Sequence, residues 1–524
     1  MPVRPPRPDT APLLPHHGEV LPEPPPVPAP ALPWHPPHDG TQVRALVDTP
    51  LQDGGFDLGR FARWLREADV LDQDPIELPG ATVTLPHGMR LIRRFDEIAM
   101  RTYERHGYEQ YDYPMLVPDS VLEPTRRIMS LEGSLLYAGD DGDWAADRRR
   151  MVLTPTGEGA VYTHWARIVR SRHDLPLRTY RRARYFRPAR SGRSVFRAIE
   201  APDIYEFQAC YADAEQAREG LADAVAMADR LCTEMHVPVL WSRRPPWTNN
   251  TAVSETTIGG DVPLPHGGTL QTGCLYGQGS RFSELYDVGF REGAERRHTH
   301  HVTGALTRRL VLTHLMLGMD SEGGLLVHPD LAPVHVALTL TTDDAEQQAE
   351  AGRLVDLLTA RGLRCELRAG EGRTAAGRHH RRWRRQGVPL RVYLQPRRRP
   401  GDRIRAVVVR CDTREEAVLL PDDLGSLAAL LPAAVAEVGA GYLRRARGFA
   451  RRQCRPVDRA DTAREVLAER GVAVAPLADT RESVLEVAGW GLGEVLGFRE
   501  ASEAAPCAVT GRPTTSVAYI SPRT

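Results

Sequence analysis

Residues 178–192 read RTYRRARYFRPARSG, with six arginines in fifteen positions and aromatic residues set among them. RTYRRARYF has strand character, PARSG reads as a turn, and IYEFQACYAD further on reads as a second strand. Together they predict an antiparallel hairpin with a loop at its tip. Side chains alternate along a strand, so Arg181, Tyr185 and Arg187 share one face. Arg182, Arg184 and Phe186 share the other. Two readings stay open for these arginines. On a concave sheet face an arginine can meet the α-phosphate of a nucleotide and offset charge building on phosphorus. On a convex face it belongs to a solvated basic surface.

The chain around this hairpin is long enough, at 524 residues, for two or three domains. Acidic and basic side chains balance at 68 each, so no whole-molecule field draws in nucleic acid or an anionic membrane. Charge recognition must come from local patches, and every basic residue is Arg, a bidentate donor for phosphate and carboxylate. Seven scattered cysteines without a CxxC point to a reducing, cytoplasmic setting rather than a disulfide framework. No apolar run of spanning length stands out, so neither a transmembrane helix nor a membrane partner is expected.

Proline dominates residues 1–42, which predicts a disordered tail. Order begins near FDLGRFARWLREADV, and residues 86–107 form a stronger helix with Leu91, Phe95, Ile98 and Tyr103 on one face. MVLTPTGEGAVYTHWARIVRS passes from strand to helix, residues 214–236 are helical, GTLQTGCLYG and LYDVGF read as sheet strands, and LTRRLVLTHLMLG is an apolar helix. After Pro333 strands and helices alternate as in a compact α/β module with largely parallel pairing. A smaller unit closes the chain. The resulting divisions are 1–42 (tail), 43–330, 331–435 and 436–524.

TPTGE at 154–158 places Thr156 and Glu158 where a loop opens a helix. A hydroxyl and a carboxylate two residues apart can grip an ammonium group. The same pair also serves as a helix cap with an acidic first turn. There is no phosphate-binding GxxxxGK[ST], no GxGxxG between strand and helix, no HExxH and no G-x-S-x-G. Contiguous histidines in HTHH at 298–301 are expected to face solvent.

The order of these segments is more specific than any one of them. LTPTGEGAVY, SRHDLPLRTYRRARYFRP, GGTLQTG…GQGSRF, TGALTRRLVLTHLM and LRCELRAGEGRTAAGRHHRRWRRQGVPLRVYLQPR together resemble a class II aminoacyl-tRNA synthetase of the archaeal and eukaryotic prolyl type. The resemblance runs from about residue 55 to the C-terminus. It implies an α+β catalytic domain with an antiparallel sheet flanked by helices, an α/β anticodon-binding-like domain, and a small α+β C-terminal domain. It implies ATP-dependent activation of an amino acid and transfer to tRNA, with Mg²⁺ accompanying ATP, proline tRNA as partner, and a homodimer formed through the segment containing Pro114.

Residue by residue, the resemblance makes Thr156 and Glu158 the seat of the α-amino group. Arg187 contacts the α-phosphate and the carboxylate. Arg197 is a second nucleotide-contacting arginine, and Gln271 lines the ATP site. Arg309, or Arg308 if the gap is placed differently, lies along the γ-phosphate. Tyr276 lines the amino-acid pocket.

The sequence also departs from the family. Ala189 stands where a glutamate meets adenine. Cys274, Leu275 and Tyr276 replace Thr-Ser-His, and Glu206, Phe207 and Gln208 replace Glu-Ala-His. Cys507 lacks its CxxC partner at Thr510, and Ala478 falls where another ligating cysteine is usual, so no zinc is expected. These departures leave open a paralogue that transfers its activated amino acid to an acceptor other than tRNA, or a non-catalytic RNA-binding regulator.

Overall fold

The computed structural model describes residues 14, 23–26, 28–36, 57–73, 75–76, 80–131, 133–138, 150–188, 195–196, 200–247, 253–320, 323–399 and 402–522. Two helices open the catalytic unit, α1 (Leu58–Glu67) and α2 (Pro86–Arg105). Asp57 caps α1 by accepting from the Arg60 amide. Proline at the first position of α2 removes an N–H that would have no helical partner. Leu91, Phe95, Ile98 and Tyr103 are all buried on one face of α2, as their spacing predicts.

The catalytic sheet is built from β1 (Glu109–Gln110), β2 (Leu177–Phe186), β3 (Glu200–Tyr211), β4 (Leu240–Arg243), β5 (Thr256–Pro263), β6 (Thr269–Gly279) and β7 (His300–Thr307). Their order is β4-β5-β6-β7-β3-β2-β1, antiparallel except for the short β1–β2 pair. Helix α3 (Glu158–Ile168) lies between β1 and β2 in the chain, and α4 (Ala214–Glu234) between β3 and β4. LYDVGF is not a simple strand: Leu285 and Tyr286 end a short helix, and pairing resumes only at Gly289.

The sheet separates two interiors. Tyr205 and Phe207 of β3 pack with Phe95, Tyr103 and the apolar side of α4. Cys210 of the same strand points the other way, against Val161, Tyr162 and Trp165 of α3. Each fully buried aromatic contributes about 1.5–3 kcal/mol. Two-residue alternation therefore anchors one face with hydrocarbon and reserves the α3 face for Glu206 and Gln208.

Helix α5 (Arg309–Leu317) leads into the second unit. Its sheet runs β9-β8-β10-β11-β12, from β8 (Val336–Leu340), β9 (Cys365–Ala369), β10 (Leu390–Gln395), β11 (Arg405–Arg410) and β12 (Glu416–Leu419), with helices α6 (Ala345–Ala360) and α7 (Arg373–Arg385). Pairing is mixed rather than largely parallel: β8 is parallel to β9 and β10, while β11 is antiparallel to both β10 and β12. The short β10-to-β12 connections permit only return pairing.

Helix α8 (Leu424–Gln453) corrects two expectations. By length and composition it is apolar enough to cross a membrane. It instead buries Leu427, Leu431, Val438, Tyr442 and Phe449 in the core of the α/β unit. It also runs through the boundary set at residue 435, so a continuous helix joins the last two units. The C-terminal strands β13 (Cys454–Pro456), β14 (Val472–Pro476), β15 (Gly493–Pro506) and β16 (Pro513–Pro522) form their own core. They also extend the catalytic sheet edgewise through β15 and β4, where Phe498 meets Arg243.

Part of the proline-rich tail is packed rather than disordered. Leu32 is buried in the α/β core, and His35 bridges Glu416 on β12. Trp34 donates from Nε1 to the Glu437 carboxylate at 2.8 Å and lies beneath the Arg410 guanidinium, 5.1 Å from its ring centroid. Arg410 also binds Glu437 at 2.7 Å and Asp412, so the indole completes a buried charge network. Trp34→Ala is therefore expected to cost about 1–3 kcal/mol in denaturant unfolding and to expose residues 23–36 to limited proteolysis. Unchanged stability and cleavage would contradict the docking.

Candidate active site

The loop before α3 is the centre of the site. Thr156 donates its hydroxyl proton to the Glu158 carboxylate, and Thr154 donates to the Thr156 carbonyl at 2.6 Å. Glu158 opens α3, where the helix dipole favours its charge. Gly157 is the N-cap residue and no side chain caps the helix, so of the helix-cap reading only the acidic first turn holds; Thr156 instead tethers the Glu158 carboxylate.

Beneath this loop, β2 and β3 place Arg181 directly opposite Glu206. Arg181 donates to Glu206 through Nε at 2.9 Å and to Tyr185 Oη at 2.6 Å, and Tyr185 donates to the same carboxylate. Arg181 and Glu206 are each 7% exposed at the side chain. The solvated-face reading therefore fails for Arg181. On the opposite face Arg182 pairs with Asp96 and Asp203 toward α2. A Cβ at Gly157 would overlap the Arg181 guanidinium and the Glu206 carboxylate, so only glycine lets the loop settle this close.

The electrostatics follow from counting. The half-buried Glu158 and the buried Glu206 carboxylates both face one guanidinium, that of Arg181. Burial and the charge of Glu206 push the Glu158 carboxyl above its usual range. A positive group arriving beside Glu158 would relieve both.

Arg187 extends from the end of β2 and donates Nε to the Pro155 carbonyl at 2.8 Å. That bond fixes one side of the guanidinium next to the Thr156–Glu158 loop. Tyr276 on β6 lies within electrostatic reach of both Glu158 and Arg187, and its hydroxyl contacts Cys274. Burial, then Cys274, pushes its phenol upward, so it is neutral and a donor at physiological pH. Gln208 is buried at the floor, and its Nε2 has no partner among the described residues.

Gln271 and Tyr276 are five residues apart on β6, which in a regular strand would put them on opposite faces. A bulge opposite Gly260 and Asp261 inserts Thr272 and restores Gln271 to the Tyr276 face. Leu270 and Leu275 accordingly both pack into the core on the other side. The two polar positions lie about 16 Å apart along the strand, room for a substrate much larger than an amino acid.

Arg309 closes that end. Its Nη1 donates to the Gln271 carbonyl at 2.9 Å and its Nε to the Phe196 carbonyl at 3.1 Å. Arg308 points elsewhere, to Thr82 Oγ1 at 2.9 Å, with burial lowering its guanidinium to about 10. Of the two, Arg309 is the one beside Gln271. Arg197 and Ala189 lie outside the described residues.

Thr156, Glu158, Arg187 and Tyr276 thus lie near one another, with Gln271 further along β6 and Arg309, the first residue of α5, bonded to its carbonyl. Sequence reasoning singled out Arg181 and Glu206 separately but did not pair them; their opposite charges at opposed hairpin positions are the signal. His301 also departs from expectation. It is fully buried against Tyr162 and Trp165, and burial lowers its imidazole to about 3. In the C-terminal unit, the amides of Ala478 and Thr510 donate to Cys507 Sγ at 3.3 and 3.5 Å. One thiol ringed by amide donors does not supply a tetrahedral zinc donor set.

No family profile matches the chain. It is 31% identical over 374 residues to the proline–tRNA ligase of Methanothermobacter thermautotrophicus, covering 69% of this chain and 75% of that protein. It is 25% identical over 470 residues to that of Thermococcus kodakarensis, covering 86% and 95%. Among solved structures it is similar to Giardia lamblia prolyl-tRNA synthetase in complex with prolyl-adenylate, with TM-score 0.78 and 22% identity over 89% of this chain and 98% of that one. Cryptosporidium parvum prolyl-tRNA synthetase with halofuginone and AMPPNP aligns at TM-score 0.78 and 17% identity, covering 88% and 94%. With 31% identity across more than two thirds of both chains, the chain belongs to the prolyl-tRNA synthetase family.

Proposed function

We propose that this chain activates an amino acid, proline or a related one, with ATP and transfers it to tRNA. The observation that carries the reading is the grouping of Thr156, Glu158 and Arg187 around one loop. A zwitterion fits that polarity, its ammonium on the Glu158 side and its carboxylate toward Arg187. The carboxylate attacks the α-phosphorus of ATP in line and pyrophosphate leaves, forming the aminoacyl-adenylate. Arg187 offsets charge at phosphorus, and Gln271 with Arg309 positions the nucleotide further along β6. Mg²⁺ arriving with ATP would add charge neutralisation at the phosphates. The terminal ribose hydroxyl of tRNA then takes the aminoacyl group and AMP departs.

Cys274, Tyr276 and Gln208 give the side-chain pocket a hydroxyl, a thiol and an unpartnered amide donor. That polarity supports an amino acid related to proline as well as proline itself. Pro114, Met115 and Leu116 are exposed, which supports a homodimer through this segment. The arginines of α7 support contact with tRNA phosphate from the α/β unit.

Amino-acid-dependent ATP–pyrophosphate exchange across a panel, with and without tRNA, tests the reading. Exchange with proline or a close analogue and charging of tRNA are expected; absence of exchange with every amino acid would refute it. Arg187→Ala should lower exchange by about 10²–10³-fold, and a near-normal rate would contradict its role. Gly157→Ala should raise KM for the amino acid with the fold intact by circular dichroism. Because the Glu158 pKa is raised, its charged form is lost at a higher pH than that of an ordinary glutamate. Amino-acid affinity should therefore weaken as pH falls through that range, and Glu158→Gln should bind weakly at every pH and flatten the profile.

A further inference from the structure

Away from the active site, three side chains converge where the catalytic sheet hands the chain to the α/β unit. His236 follows α4, and His328 and Asp330 lie in the segment leading to β8. They are 92 and 94 residues from His236 in sequence, so no spacing motif announces them. Their ligand atoms all lie within 4.8 Å of one another. His236 Nε2 is 2.8 Å from Asp330 Oδ2, and His328 Nδ1 is 3.5 Å from the same oxygen.

We infer that His236, His328 and Asp330 form a binding site for a divalent transition-metal ion of the zinc class, bridging the catalytic and α/β units. The donor set is two imidazole nitrogens and one carboxylate oxygen, a set Zn²⁺ takes with water in the fourth position. Bonds of about 2.0–2.1 Å at a tetrahedral centre separate ligand atoms by roughly 3.3 Å. The 2.8 and 3.5 Å separations to the carboxylate oxygen lie on either side of that spacing, and the two imidazole nitrogens lie within 4.8 Å of each other. Asp330 is 64% exposed at the side chain, which leaves an entry path.

The ligands are held from behind, as metal ligands usually are. His314, fully buried on α5, contacts the Met235 carbonyl through Nδ1 at 3.0 Å and accepts from the His328 amide through Nε2 at 3.1 Å. One imidazole thus fixes the backbone beside both ligating histidines. Tyr442 of α8 stacks on His314 at 4.1 Å and meets His328 edge-on. His328 Nδ1 accepts from the Asp330 amide at 3.2 Å, so it is the unprotonated ring nitrogen, and a metal ion would take that lone pair over from the amide.

Positive charge nearby limits the affinity. Arg94 binds the Asp330 carbonyl at 3.3 Å, and Arg364 binds the Pro329 carbonyl at 2.6 Å. Their fields make this a three-ligand site weaker than a closed structural zinc centre.

The test is titration of the untagged full-length chain with Co²⁺, read by visible absorption, followed by displacement with Zn²⁺. One equivalent with a tetrahedral spectrum is expected, accompanied by a rise in Tm with metal concentration. His236→Gln should weaken binding by about 10–100-fold or more, and Cys507→Ala should leave it unchanged. Asp330→Asn, at an exposed position, serves if His236→Gln fails to fold. Absence of stoichiometric binding would overturn the site and leave a hydrogen-bonded latch. Binding unaffected by both variants, or abolished by Cys507→Ala, would also overturn it.

Discussion

The site depends on an unequal sharing of charge. Arg181 is committed to Glu206 and Tyr185 in a space closed to water. Breaking such a buried pair by removing one partner typically costs about 3–5 kcal/mol, so the network is fixed. Glu158 faces that network with no ion pair of its own among the described residues, and burial and the Glu206 charge hold its carboxyl above the usual range. A pocket in this condition favours a ligand that brings positive charge, and Thr156 restricts where that charge sits. Gly157 belongs to the same constraint, since its missing side chain is what allows the loop to rest on the Arg181–Glu206 pair.

The fold serves this arrangement by giving each sheet face one task. α2 and α4 fill one face with aromatic and aliphatic side chains, which makes the strands rigid. The other face can then carry charge without losing its support. The β6 bulge brings Gln271 and Tyr276 to that face, and the bonds from Arg309 to the Gln271 and Phe196 carbonyls tie β6 to the stretch ahead of β3. The long helix α8 links the α/β unit to the C-terminal strands, which in turn lengthen the catalytic sheet.

What the sequence disclosed was local. The face of α2, the Arg181/Arg182 alternation and the strand-to-helix passage at Glu158 all follow from periodicity within one or two elements. What it concealed was long-range. Composition marks the tail as unable to fold alone, yet Trp34 finds Glu437 some four hundred residues away. His301 sits in a polar run but alternates inward from a buried strand. That Arg309 bonds the Gln271 carbonyl while Arg308 turns to Thr82 is likewise a long-range matter that no spacing rule supplies.

The central claim is that Glu158 is an under-neutralised carboxylate waiting for an ammonium group. Calorimetry of amino-acid binding in buffers of different ionisation enthalpy measures this directly, because a ligand that restores the charge of Glu158 must expel its proton. Proton release that grows as the solution is made mildly acidic, and that vanishes in Glu158→Gln, is the result this account requires. Tight binding with no proton exchange at any pH would show that the carboxylate is already fully charged and that the site works by another principle.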